Sequence, residues 1–231
     1  MAADGPDYAA MEDARLAGLF RSRDAGAVRF IATRHNQRLF RAAWAVLRDN
    51  AEAEDAVQNA YLKAFAAIDG FEGRSMLSTW LTRIVINEAL TRRRSALRRA
   101  RLTGDAGAAA AAWADTASSP ADQPETPEQH VANTQLHHRL QQALNRLPEK
   151  YRTVFVLREV EGMSVDETAV ALAILPATVK TRAFRARQML QADLAAVDRT
   201  ALDGFLVFAG EACGALTARL AALVAPQPPR A

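Results

Sequence analysis

Apolar residues in the first hundred positions recur three and four apart, and no segment there alternates strictly at period two. The pattern predicts helices and no sheet. From Ala51 onward the stripe is Val57, Ala60, Tyr61, Ala64, Phe65 and Ile68, and Asp69-Gly70 ends it. A second stripe, Leu77, Trp80, Leu81, Ile84 and Val85, begins near Ser75 after the loop Phe71-Glu72-Gly73-Arg74 and runs into a row of arginines. Upstream, Phe30, Ile31, Leu39, Phe40, Ala43, Trp44 and Leu47 supply the apolar face of a partner helix. These segments define a first helical domain over residues 13–101.

The pattern then disappears. From Thr103 to Thr126 the chain is rich in Ala, Asp, Ser and Pro, with Pro120, Pro124 and Pro127 spaced through it. Such a stretch has little to bury, so residues 102–127 read as a flexible linker. Periodicity returns near Val131. Leu136, Leu140, Leu144 and Leu147 form one helix, and Pro148 opens the next, which carries Tyr151, Val154, Phe155 and Leu157. After Gly162, Ser164 and Glu167 have the spacing of a capping box, and Pro176 suits the first turn of a further helix. Residues 128–193 thus form a second domain of four helices ending in a helix-turn-helix. Residues 194–231 add a short helical extension, apolar from Leu202 to Val224, and a Pro-rich tail. The fold class is all-α: two small helical domains joined by a flexible acidic linker.

The last helix of the second domain has two unlike sides. At about 100° per residue, Val179, Ala183, Ala186 and Leu190 fall together, while Lys180, Thr181, Phe184, Arg185 and Gln188 fall on or near the opposite side. A small-residue stripe backed by a basic face with hydroxyl and aromatic groups is what a major-groove reader needs. Lys180 and Arg185 can donate to guanine or phosphate, and Phe184 can touch a thymine methyl. Arg182 and Arg187 lie on the flanks and suit the backbone, and Thr178 at the helix start can cap or contact phosphate.

Charge sharpens this picture. The net charge of the 231-residue chain is only +3, but the charges are segregated. Arg92, Arg93, Arg94, Arg98, Arg99 and Arg101 form a basic run suited to phosphates; from Leu102 to His138 there is no Lys or Arg, while Asp105, Asp115, Asp122, Glu125 and Glu128 are acidic. The single cysteine, Cys213, excludes an intramolecular disulfide and reads as a small buried hydrophobe. No signal peptide and no apolar run of about 20 residues is present, so a cytoplasmic protein without membrane insertion is expected. His35, His130, His137 and His138 lack metal-ligand spacing with carboxylates, and there is no phosphate-binding glycine loop or nucleophile elbow. No catalytic residue, metal or cofactor is expected.

Four motifs in order resemble one family, the bacterial extracytoplasmic-function sigma factors, which carry only sigma regions 2 and 4. Ala53-Glu54-Asp55-Ala56-Val57-Gln58-Asn59 is similar to the family's A-E-D-x-x-Q core, and Phe71-Glu-Gly-Arg-Ser75 with Thr79-Trp80-Leu81 and Asn87 to its F-x-G-x-S … T-W-L … N run. Leu147-Pro-Glu-Lys-Tyr-Arg152, Leu157-Arg-Glu159 and Glu161-Gly162 resemble the start of region 4. Thr178-Val-Lys-Thr-Arg182 with Arg185-Ala-Arg187 resemble its reading helix. The resemblance covers about residues 13–193.

It implies a set of partners and surfaces. Asp55, Gln58, Asn59 and Leu62, at i, i+3, i+4 and i+7 on one exposed side, would meet the β′ clamp helices of core RNA polymerase, with the β subunit also contacted. Arg74 and Ser75 in the loop, with Thr79, Arg83, Asn87 and Arg94 along one edge of the following helix, would capture the −10 element of promoter DNA as it melts, the helix N-terminus offering free N–H groups to a phosphate. Thr178, Lys180, Thr181, Arg182, Phe184, Arg185 and Arg187 would read the −35 element, and the acidic linker would thread a basic channel of the polymerase. Trp80, central on its apolar stripe, reads as core. An anti-sigma factor is a further partner class the resemblance allows. The alternative is a conventional helix-turn-helix regulator acting without polymerase; the first domain discriminates, since such a regulator needs a sensor or dimerisation region and no melting loop.

Overall fold

The computed structural model describes residues 6–102, 139–194 and 210–224, and every regular element among them is helical. A 3-10 turn (Tyr8–Ala10) precedes α1 (Asp13–Arg21), α2 (Ala25–Leu47), α3 (Asn50–Ala67) and α4 (Leu77–Leu102). Helix α5 is described over residues 139–146. Then come α6 (Glu149–Phe155), α7 (Val165–Leu172), α8 (Pro176–Leu194) and α9 (Gly210–Val224). The acidic stretch expected as a linker, with His130, His137 and His138, lies outside the described residues.

Local chemistry sets the helix ends. Asp24 and Asp49 cap α2 and α3, accepting from Ala27 N–H at 2.7 Å and Glu52 N–H at 2.8 Å. The Ser164–Glu167 box is formed in both directions at the start of α7, and Ala173, at φ 52°, turns the chain toward α8. Just before this box, α6 widens into a π-turn at Val156–Val160, where Glu161 N–H donates to Val156 O at 2.9 Å.

Helices α2, α3 and α4 pack on one another, and α1 closes one end. Trp44, Tyr61, Phe20, Ile31, Leu39 and Leu81 are fully buried at their centre. Each such side chain contributes about 1.5–3 kcal/mol by leaving water, so this cluster is the main source of stability.

The two expected domains are not independent bodies. Leu140, Leu144, Leu147, Phe155, Val156 and Met163 join the same apolar cluster as the first domain. Arg152, 3% exposed, donates to Ala45 O at 2.6 Å and Leu147 O at 2.8 Å. Arg48, in left-handed backbone at the end of α2, donates to Asn145 O at 2.9 Å. Glu161 accepts from Arg38 at 3.4 Å and Arg41 at 3.0 Å. A smaller apolar cluster of Val154, Ala169, Val179 and Ala183 holds the helix-turn-helix together.

Helix α9 packs on α2 and α3, far back in the sequence. Leu216 and Leu220 are buried there. Among the described residues no helix is long and apolar enough to cross a membrane.

Candidate nucleic-acid and polymerase interface

The reading helix stands as its sequence suggests. Val179, Ala183, Ala186 and Leu190 are buried, whereas Lys180, Thr181, Arg185 and Arg187 are exposed and Phe184 is 59% exposed. An exposed phenylalanine on this face can touch a thymine methyl in the major groove. Thr181 Oγ1 donates back to Ala177 O at 3.0 Å. Thr178 and Arg182 are half-buried and line a groove with Val170 and Leu175.

Two of the arginines are held from behind. Arg185 donates to Tyr151 Oη at 3.3 Å, a bond that draws the phenol below its ordinary pKa. Arg187 pairs with Glu159 at 2.6 Å. Tyr151 and Glu159 lie in the region-4 motifs, but only the fold shows that they steady the recognition face.

In the first domain, Gly73 has φ 69°, the left-handed conformation that a glycine adopts without Cβ strain. The loop it turns carries exposed Arg74, paired with Glu72, and half-buried Ser75. Arg83, Asn87 and Arg94 are exposed in a row along α4.

Thr79 does not join that row. It is fully buried, and its Oγ1 has no partner among the described residues. In the same first turn of α4, Asp13 of α1 accepts from Leu77 N–H at 2.6 Å. The same bond takes one donor of the helix start: a carboxylate already sits on the Leu77 N–H. Trp80 is half-buried rather than wholly core, and packs against Phe71 with ring centroids 5.4 Å apart.

The arginine run divides. Arg92 bridges Glu52 and Glu88, each at 3.0 Å, and Arg93 pairs with Glu149 on α6. Both therefore make ion pairs within the chain, in addition to the phosphate contacts expected of the run. Burial pushes the Glu88 carboxyl up, but hydrogen bonds from Lys63 and Arg92 outweigh it and hold the group below its ordinary value. Arg94, Arg98 and Arg101 remain exposed.

On α3, Asp55 is 64% exposed and stands 3.7 Å from Arg92. Leu62 is 41% exposed, with half-buried Gln58 and Asn59 between them. The four form a continuous strip of mixed apolar and acidic character. His35 is half-buried, and burial with the charges of Arg38 and Arg34 lowers it to about 4. Among the described residues no His/Cys/Asp/Glu cluster has the geometry to hold a metal.

Known proteins match both regions. Residues 31–99 match the family model described as Sigma-70 region 2, and residues 137–190 match Sigma-70, region 4. The ECF RNA polymerase sigma factor SigW of Bacillus subtilis is 32% identical over 160 residues, 69% of this chain and 84% of that protein. This chain belongs to the extracytoplasmic-function sigma factors. The ECF RNA polymerase sigma-E factor of Escherichia coli is also 32% identical, over 60% of this chain and 72% of its own length. Among solved structures, CnrH in complex with the cytosolic domain of CnrY aligns at a TM-score of 0.53 and 25% identity, covering 80% of this chain and 99% of that one. The sigma factor RpoE, in complex with the anti-sigma factor NepR from Bartonella quintana, aligns at 0.50 and 25% identity, over 81% and 100%. The sigma-factor matches leave α9 outside both family models.

Proposed function

We propose that this chain is an alternative sigma factor that directs core RNA polymerase to selected promoters and assists their melting. The Asp55–Leu62 strip meets the polymerase. The loop at Arg74 and Ser75, with Arg83, Asn87 and Arg94, meets the −10 element. The Lys180, Phe184 and Arg185 face reads the −35 element. Partners are core polymerase, promoter DNA and, in this family, an anti-sigma factor; the chemistry of RNA synthesis belongs to the polymerase.

The observation that carries this reading is the exposed Phe71–Ser75 loop at the head of α4. A conventional regulator reads closed duplex and has no use for such a loop beside a second basic edge. Binding tests the polymerase face. Asp55→Ala with Gln58→Ala removes exposed polar groups from the strip and leaves the buried Val57, Ala60 and Tyr61 untouched, so helicity is retained. The pair lowers affinity for core polymerase at least tenfold in a pull-down titration. Unchanged co-purification would move the polymerase face elsewhere.

A further inference from the structure

We infer that α9 is a displaceable internal cover on the polymerase-binding side of region 2, so that the C-terminal extension restrains binding of core polymerase. The inference rests on the Asp55 strip being the polymerase face.

Position is the first argument. Asn36 hydrogen-bonds both Cys213 and Tyr61, and the charge of Arg219 acts on Glu54, so α9 runs antiparallel to α3 along the turns that carry Asp55, Gln58, Asn59 and Leu62. From Asp55 to Leu62 is about 10 Å of helix, and a helix is about 10–12 Å wide, so the exposed strip offers only about 100 Å². A specific protein interface needs about 800 Å² on each partner. The footprint must therefore spread over both neighbours of α3. One neighbour is α4, whose Arg92 stands beside Asp55; the other is α9.

The chemistry of α9 then decides whether it joins the interface or leaves it. Its described exposed positions are Gly214, Ala215, Ala218, Arg219 and Ala222. A face of Ala and Gly with one arginine has none of the large aromatic anchors that dominate binding energy. Its inward side is the better binder: Leu216 and Leu220 fill the seam, and Asn36 of α2 donates to Thr217 Oγ1 at 3.1 Å and Cys213 Sγ at 3.5 Å. The Asn36 carbonyl is taken by Tyr61 Oη at 3.0 Å. A buried amide in an apolar seam fixes the register of the helix laid over it. Arg219 adds a cation next to Glu54, where burial raises the carboxyl and Arg219 opposes that rise. Helix α9 thus occupies the flank of α3 with two leucines inside and one cation at its edge. Two fully buried leucines are a small anchor, and such elements open at low cost.

Leu216→Glu with Leu220→Glu in the full chain releases α9 while leaving α2 and α3 unaltered. Affinity for core polymerase then rises by at least about fivefold, the lower end of ordinary coupling between linked sites. Arg219→Glu, an exposed change, raises it in the same direction. Hydrogen exchange on the unaltered chain gives a check that needs no variant: amides of residues 210–224 lose protection when core polymerase binds. Unchanged or lower affinity in the released variant, or protection of α9 kept in the complex, overturns the inference. If Asp55→Ala leaves binding unaffected, the polymerase face itself is misplaced, which is a separate failure.

Discussion

At the scale of single residues, the structure divides arginines that look alike in sequence. Arg92 and Arg93 hold the molecule together, whereas Arg83 and Arg94 face outward. On α8, Arg185 and Arg187 are both exposed but braced by different partners, Tyr151 and Glu159. Arg185→Ala relaxes sequence preference in the upstream element and costs about 1–3 kcal/mol at the preferred base. Arg187→Ala weakens all sequences alike and lowers the salt slope by about one. Binding across a promoter library at two salt concentrations separates these outcomes; uniform loss in both variants contradicts the division. The recognition face was legible because one helical period, with Val179 and Leu190 inward, orients everything else. Glu88 lies only four positions from Arg92, but the other partners, Glu52 for Arg92 and Glu149 for Arg93, lie 40 and 56 positions away and carry no local signal.

At the scale of elements, the apolar stripes of α2, α3 and α8 and the Ser164–Glu167 box of α7 are local, and local chemistry reads directly; the Asp24 and Asp49 caps of α2 and α3 emerge only in the structure. What escaped was the insertion of α1 against the start of α4. Thr79 sits one turn before Arg83 and looks like part of the same edge, yet it is fully buried, and the Asp13 carboxylate of α1 accepts from the backbone of the same turn. Asp13→Ala removes this cap, left at long range, and destabilises the folded chain by about 1 kcal/mol; Asp13→Asn, whose amide oxygen still accepts, recovers most of it. Urea unfolding followed by circular dichroism measures both, and equal stability of Asp13→Ala and the parent would show that the contact adds nothing. Helix α9 escaped for a similar reason. Its stripe announced a packed helix but carried no address, and the address is a buried asparagine on α2.

At the scale of the whole molecule, two domains expected to be tethered share one core. Glu161 is the clearest joint: its side chain is 7% exposed and meets Arg38 and Arg41 from α2. Removing one member of a shielded ion group leaves uncompensated charge and costs about 3–5 kcal/mol. Glu161→Ala therefore loosens the packing between the regions, seen as a larger radius of gyration in small-angle scattering. An unchanged radius contradicts the role assigned to this joint. The sequence shows both units because each has its own period. Their packing carries no local signal, because a glutamate after a helix end looks solvated until its partners are placed.

The central claim is that this molecule opens promoters with polymerase rather than merely occupying duplex DNA. Permanganate reactivity of unpaired thymines, measured on a mapped promoter with core polymerase and this chain, tests it most directly. The account predicts reactive thymines at the downstream element with the unaltered chain. It predicts their loss when Gly73-Arg74-Ser75 is replaced by an unrelated loop of equal length, with polymerase binding and the contacts of Lys180 and Arg185 retained. Melting that survives the loop exchange would place the determinant elsewhere, and no melting with the unaltered chain would contradict the sigma-factor mechanism.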